Sequence, residues 1–198
     1  MCGISGIINK NNQPVLQKKI KEINNLAEHR GPDGEGYYFG NHFAFGHRRL
    51  SIIDLSDAGS QPMHYMKKYT ITYNGEIYNY KEIKNELSKF GYSFRSGTDT
   101  EVILASYDRW GSDCVKRFNG MWAFSIYDRD KNILFCSRDR FGIKPFYFTE
   151  NNDFFAFGSE IKQLLPVIRK KYVNKNVLID YLLIGYEDHS NETFFEDI

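Results

Sequence analysis

What most limits the fold of this chain is a hydrophobic period that changes twice along its length. The early segments CGISGIIN, GYYFG and HFAFGHRRLSIID are short apolar runs of the kind that form strands. The middle carries two stretches at helical spacing. Tyr80 to Phe90 places Tyr80, Ile83, Leu87 and Phe90 on one face with Gly91 as the stop. Asp99 to Trp110 turns Val102, Ile103 and Tyr107 inward, with Thr98 or Asp99 as cap. Four strand-like runs follow, MWAFSIYD, NILFCSRD, PFYFTE and FFAFGS, and read as a meander. A further helix is predicted from Pro14 to about Glu28, through Leu16, Ile20, Ile23 and Ala27. The order strands, helices, strands predicts an α+β domain with sheets packed between helices.

Turn chemistry adds detail. GYYFG and HFAFGHRRLSIID flank a polar turn at Asn41 and read as a hairpin. YTITYNG reads as an alternating strand that ends in a tight Asn-Gly turn, and residues 55 to 67 as a surface loop carrying Gly59 and Pro62. After Pro166 the sequence changes to the basic run IRKKYVNKN and a helix, VLIDYLLIGY. The expected division is a main domain over residues 1–166 and a connecting segment over residues 167–198.

Composition narrows the function by exclusion. Twenty-six Lys and Arg against 25 Asp and Glu leave a net charge of +1, which argues against nucleic acid or an anionic membrane as partner. No apolar run reaches the roughly 20 residues of a membrane span and no basic, then apolar leader opens the chain, so the expectation is cytoplasmic. The three cysteines, Cys2, Cys114 and Cys136, are odd in number and widely spaced, unlike a disulfide framework or a zinc site. His29, His42, His47, His64 and His189 lack metal-ligand spacing, and no phosphate-binding glycine loop is present. The substrate is expected in a pocket.

Cys2 carries the chemistry. Trimming of Met1 would give it both a thiol and a free α-amine, a nucleophile and a base in one residue. With unperturbed pKa values of about 8.5 and about 7.7–8.0, useful fractions of both reactive forms coexist near neutrality. Taken alone, Cys2 reads first as a small apolar residue opening a strand.

The motifs MCGISGIIN, HRGPDGEG, RRLSIIDLSDAGSQPM, YNGEIYN, SGTDTEVIL, NGMWAFSIYD and RDRFGIKPFYF resemble, in order and spacing, the glutaminase domain of glutamine-hydrolysing asparagine synthetases. The resemblance runs from Met1 to about residue 165. It implies the four-layer αββα sandwich of the N-terminal nucleophile hydrolases. The implied activity is hydrolysis of glutamine to glutamate and ammonia. The implied catalytic residues are Cys2 as nucleophile with Asn74 and Gly75 as the oxyanion hole. Arg49 would grip the α-carboxylate of glutamine and Asp99 the α-ammonium, with Glu76 close by and Leu50, Ser51, Ile52 and Ile53 lining the pocket. No cofactor is expected in this chain; ATP and Mg belong to a second synthetase domain, absent here, that would activate aspartate and receive the ammonia. The chain is thus expected to be an excised fragment, and a homodimer is left open.

The residues also admit plainer readings. Asn74-Gly75 is a hairpin signal, Asp99 a helix cap, and Arg49 a solvated strand-end arginine beside the equally unspecific Arg48. RDRFGIKPFY reads first as an ion-paired structural loop and second as a contact for a partner domain, and HRGPDGEG as a pocket-shaping or merely structural turn. Whole-chain alternatives are a catalytically silent docking module of the same fold, or an amidotransferase for a sugar or another carboxylate acceptor.

Overall fold

A computed structural model describes residues 1–51, 57–186 and 189–198. Its elements are β1 (Gly3–Asn9), α1 (Gln17–Asn25), β2 (Gly34–Phe39), β3 (Phe43–Arg49), β4 (Met63–Tyr65), β5 (Tyr69–Ile77), α2 (Tyr80–Lys89), α3 (Asp99–Trp110), β6 (Gly120–Asp128), β7 (Ile133–Arg138), β8 (Tyr147–Glu150), β9 (Phe154–Gly158), α4 (Ile161–Leu164) and α5 (Lys175–Ile184). Two antiparallel sheets form, one ordered β2-β3-β1-β9-β8 and the other β4-β5-β6-β7. Among the described residues no helix is long and apolar enough to cross a membrane.

Strand alternation decides the layers. In β1, Ile4 faces the second sheet, whereas Ile7 faces the helices and Ser5 donates a hydrogen bond to Asn24 of α1. In β3, Phe43 and Phe45 face the second sheet and Ala44 faces α1. Between the sheets the rings of Phe43 and Tyr127 stack with centroids 3.8 Å apart. On the far side, Ile71, Tyr73 and Ile77 of β5 meet Ile83 and Leu87 of α2 and Val102 and Ile103 of α3. Each such fully buried side chain contributes about 1.5–3 kcal/mol. The result is the αββα sandwich, with α1 and α4 over one sheet and α2 and α3 over the other.

Three details differ from the sequence reading. Asn74-Gly75 is no turn: it lies inside β5, opposite Ala123 and Trp122 of β6. Gly75 is required by close approach, since a Cβ there would stand 2.3 Å from the Met121 carbonyl oxygen. The last four strands are no single meander, because β6 and β7 complete the second sheet while β8 and β9 return to the first, beside β1. Finally, Leu16 and Phe90 are 76% and 52% exposed. Both are cap positions just outside their helices, where the helical face no longer governs direction. The Phe90 ring instead lies under the Arg109 guanidinium, 4.4 Å away.

Candidate active site

The site lies at one end of the sandwich, where Cys2 enters β1. Because β1 runs antiparallel to β3, Cys2 comes to rest beside the residues that leave β3. The Leu50 N–H donates to Cys2 Sγ at 3.4 Å, and the thiol can in turn donate to the Leu50 carbonyl at 3.6 Å. Arg30 donates from Nε to the Cys2 carbonyl at 3.0 Å and from Nη1 to Glu160 at 3.1 Å.

The loop HRGPDGEG sets these contacts. Gly31 lets it lie against β3, where a Cβ would meet the Arg48 carbonyl carbon at 2.3 Å. Asp33 accepts the Ser51 N–H at 2.8 Å, which fixes the chain beyond β3. The loop therefore braces the cysteine and one wall of the pocket.

Alternation separates the two adjacent arginines. Arg48 points to the helix side, bonded to Asn25 and paired with Glu35 at 3.0 Å. Arg49 points the other way, into the cavity, with its guanidinium over Gly59. The sequence offers no choice between neighbouring arginines until strand parity is known.

Asp99 is 4% exposed and opens α3. It does not serve as the cap side chain. Its Oδ2 accepts from the Tyr73 hydroxyl at 2.7 Å and from the Ile77 N–H at 2.9 Å. Among the described residues Oδ1 takes no hydrogen bond from another residue, so one oxygen remains for a ligand. Burial pushes the carboxyl above its ordinary range, against the pull of those two donors.

On β5, the Tyr73 N–H is taken by Gln61 Oε1 at 2.7 Å and the Ile77 N–H by Asp99. Gly75 lies between them with the same parity, so its N–H points to the same strand edge. Asn74 faces the other sheet, is 2% exposed, and its Nδ2 is buried with no hydrogen-bond partner among the described residues. A buried amide donor left unpaired costs about 1–3 kcal/mol. Its presence in the cavity that Cys2 also lines suits a group that binds an oxygen during reaction.

Cys2, Arg49, Leu50, Ser51, Asn74, Gly75, Glu76 and Asp99 all line one cavity of about 120 Å³. Ile52 and Ile53 lie outside the described residues. Cation, anion, thiol and amide donor thus occupy a single pocket. Burial raises the Cys2 thiol pKa, although the Leu50 N–H, the chain's terminal ammonium, Arg49 and Arg30 all pull it down; the thiol therefore needs a base to react at neutral pH. Among the described residues no group of three or more His, Cys, Asp or Glu side chains is arranged to hold a metal ion.

Among the cavity residues that the sequence reading did not assign to the site are His47, Gln61, Tyr73 and Lys144. His47 and Tyr73 are legible only once alternation in β3 and β5 is fixed. Lys144 lies in RDRFGIKPFY, which is held differently from the expected ion pairs. Asp139 accepts backbone N–H groups from Trp122, Phe141, Ile143 and Lys144, while Arg138 and Arg140 donate to backbone carbonyls. Burial would raise the Asp139 carboxyl, but the four donors together hold it below its usual range.

Comparison with known proteins identifies the family. The family described as "Glutamine amidotransferase domain" matches residues 1–198. The chain is 45% identical to a putative glutamine-hydrolysing asparagine synthetase 2 of Methanocaldococcus jannaschii, over 94% of this chain and 40% of that protein. It is 42% identical to the glutamine-hydrolysing asparagine synthetase 1 of Bacillus subtilis, over 92% of this chain and 29% of that protein. The chain thus spans less than half the length of these relatives. In fold it is similar to the glutamine phosphoribosylpyrophosphate amidotransferase of B. subtilis, with a TM-score of 0.69 and 19% identity, over 82% of this chain and 43% of that one.

Proposed function

The chain belongs to the glutamine amidotransferase domain family, and from that premise we propose that it hydrolyses glutamine through Cys2. The observation that carries this reading is the buried, unpartnered Asn74 Nδ2 in the cavity that holds the Cys2 thiol. Removal of Met1 frees the α-amine, which takes the thiol proton. The thiolate attacks the side-chain amide carbon of glutamine, and Asn74 Nδ2 and the Gly75 N–H hold the resulting oxyanion. The protonated amine returns its proton to the departing nitrogen, ammonia leaves, and a thioester remains. Water, deprotonated by the same amine, then releases glutamate.

Arg49 and Asp99 orient the substrate. A guanidinium matches the α-carboxylate with two parallel hydrogen bonds, and Asp99 Oδ1 with Glu76 balances the α-ammonium. Thiol, amine and water supply every atom and proton of the hydrolysis, so this half-reaction uses neither ATP nor a metal.

The names of the relatives, which describe asparagine synthetases, support one reading of the ammonia acceptor. We propose aspartate as acceptor, activated with ATP and Mg by a synthetase domain C-terminal to this one in a protein of the relatives' length. Amide-labelled glutamine should then give labelled asparagine with the longer protein. Label appearing in an amino sugar instead would assign the sugar acceptor.

The direct test of the glutaminase is intact mass with and without 6-diazo-5-oxo-norleucine, a glutamine mimic that alkylates such cysteines. A chain lacking Met1 with a single adduct on Cys2 supports the mechanism. A folded, trimmed chain whose Cys2 does not react favours the silent docking module.

A further inference from the structure

Lys144 is a buried cation that, among the described residues, forms no ion pair. It is 6% exposed and lines the same cavity as Cys2. Among the described residues no carboxylate forms an ion pair with it; the polar contact of its Nζ is the Met1 thioether at 3.2 Å, a weak acceptor. Arg30 Nη2 approaches the same sulfur at 3.9 Å. Two cations therefore converge on the side chain of Met1, the residue bonded to the Cys2 nitrogen. The volume of that side chain empties when Met1 is removed. While Met1 is in place, an ammonium so buried and poorly satisfied is costly to the fold, and burial, with Arg30, draws its own pKa down, against Cys2, Asp139 and Glu76.

We propose that Lys144 is a positioning residue whose charge keeps the freed Cys2 α-amine neutral, and so able to accept the thiol proton. The inference rests on the glutaminase reading above. A neighbouring cation disfavours a protonated amine and favours a thiolate, so a single charge moves both reactive groups in the productive direction. Without it, an α-amine with a pKa of about 7.7–8.0 would be mostly protonated at neutral pH and unable to act as base.

Other charges face the same point. Arg30, from the turn before β2, and Arg49, at the end of β3, act in the same sense as Lys144. Glu76 on β5 and Asp99 on α3 oppose them. Arg30 is tied to Glu160, which offsets its charge. His47 and Tyr73 remain uncharged at neutral pH, since burial lowers the one to about 4 and raises the other well above its usual range. When glutamine binds, its α-carboxylate engages Arg49 and its α-ammonium engages Asp99 and Glu76. Among the described residues Lys144 forms no ion pair, and its charge is offset only at longer range, by Asp139 and Glu76.

The test is the pH profile of glutamine kcat/KM for the wild-type chain, Lys144→Met and Lys144→Arg, each checked for a folded state. Methionine removes the buried charge while keeping an unbranched apolar chain, so the fold is preserved. The acid limb of Lys144→Met should move up by about one pH unit. That means roughly tenfold lower kcat/KM a unit below the wild-type limb, and values within twofold above both limbs. Lys144→Arg should keep the wild-type limb. The rate of Cys2 alkylation by 6-diazo-5-oxo-norleucine against pH should shift in parallel. An equal loss at every pH, no change at all, or an arginine variant that shifts like methionine would overturn the proposal. A trimmed wild-type chain inert to both glutamine and the alkylating mimic would overturn the glutaminase reading, and this inference with it.

Discussion

The Asn74 side chain sits between two strand neighbours that have other duties. Tyr73 holds Asp99 and Gly75 presents its backbone, so of these three Asn74 is the one whose side-chain donor has no partner among the described residues. If that donor meets the tetrahedral oxyanion, Asn74→Ala should lower kcat by about 100 to 1,000-fold with a much smaller change in KM. Steady-state glutaminase kinetics decide it, and a loss confined to KM would make Asn74 a ground-state contact instead. Tyr73→Phe tests the other end of the pocket. Its hydroxyl is one of two donors on Asp99 Oδ2, and a hydrogen bond to a charged group contributes about 1.5–3 kcal/mol. KM for glutamine should rise about tenfold while kcat changes less than twofold. Unchanged KM would mean the Ile77 N–H holds the carboxylate unaided.

Within β5, function and packing compete for the same backbone. Gly75 faces Trp122 in the register with β6, and any side chain on it would be driven into Met121. Gly75→Ala should therefore destabilise the protein by about 1–3 kcal/mol, read as a lower urea midpoint at unchanged m-value. A midpoint equal to wild type would mean that β5 and β6 can separate at this point without cost. The same position shows how far local signals reach. Asn-Gly is a strong turn signal because both residues tolerate positive φ, yet here the pair is extended, and tertiary packing overrides the propensity. The α2 and α3 helices were legible because their period persists over several turns, as Ile83, Leu87, Val102 and Ile103 show. The pocket residues named from motifs, Cys2, Arg49, Asn74, Gly75 and Asp99, meet in one cavity. Tyr73 and Lys144 escaped notice because what matters in them is direction: strand parity for one, and for the other a loop folded around Asp139.

At the scale of the whole molecule, the two sheets are joined by apolar packing and by a few buried polar ties close to the site. Thr72 Oγ1 donates to the Gly46 carbonyl at 3.2 Å, and His47 Nε2 lies 3.1 Å from the Tyr73 carbonyl. Since a carbonyl only accepts, His47 must carry its proton on Nε2. Burial lowers the His47 pKa to about 4, with Arg49 adding to the effect and the Tyr73 carbonyl opposing it. The sign of the linkage follows from proton uptake. An unfolded histidine binds a proton near pH 6.5, whereas the native one stays neutral until about 4. The unfolded state thus gains protons first as pH falls. The contribution of His47 is complete above pH 6.5 and is lost progressively from there down to about 4, a difference on the order of 3 kcal/mol. Carboxylates also weaken the fold in acid, so the measurement must be a difference. Urea unfolding of wild type and His47→Gln at pH 7 and pH 4 should show the wild type losing about 3 kcal/mol more than the variant, because glutamine can keep a donor on the Tyr73 carbonyl but cannot titrate. Parallel losses in the two proteins would mean that His47 gains its proton without parting the sheets, and that the acid sensitivity of the sandwich arises elsewhere.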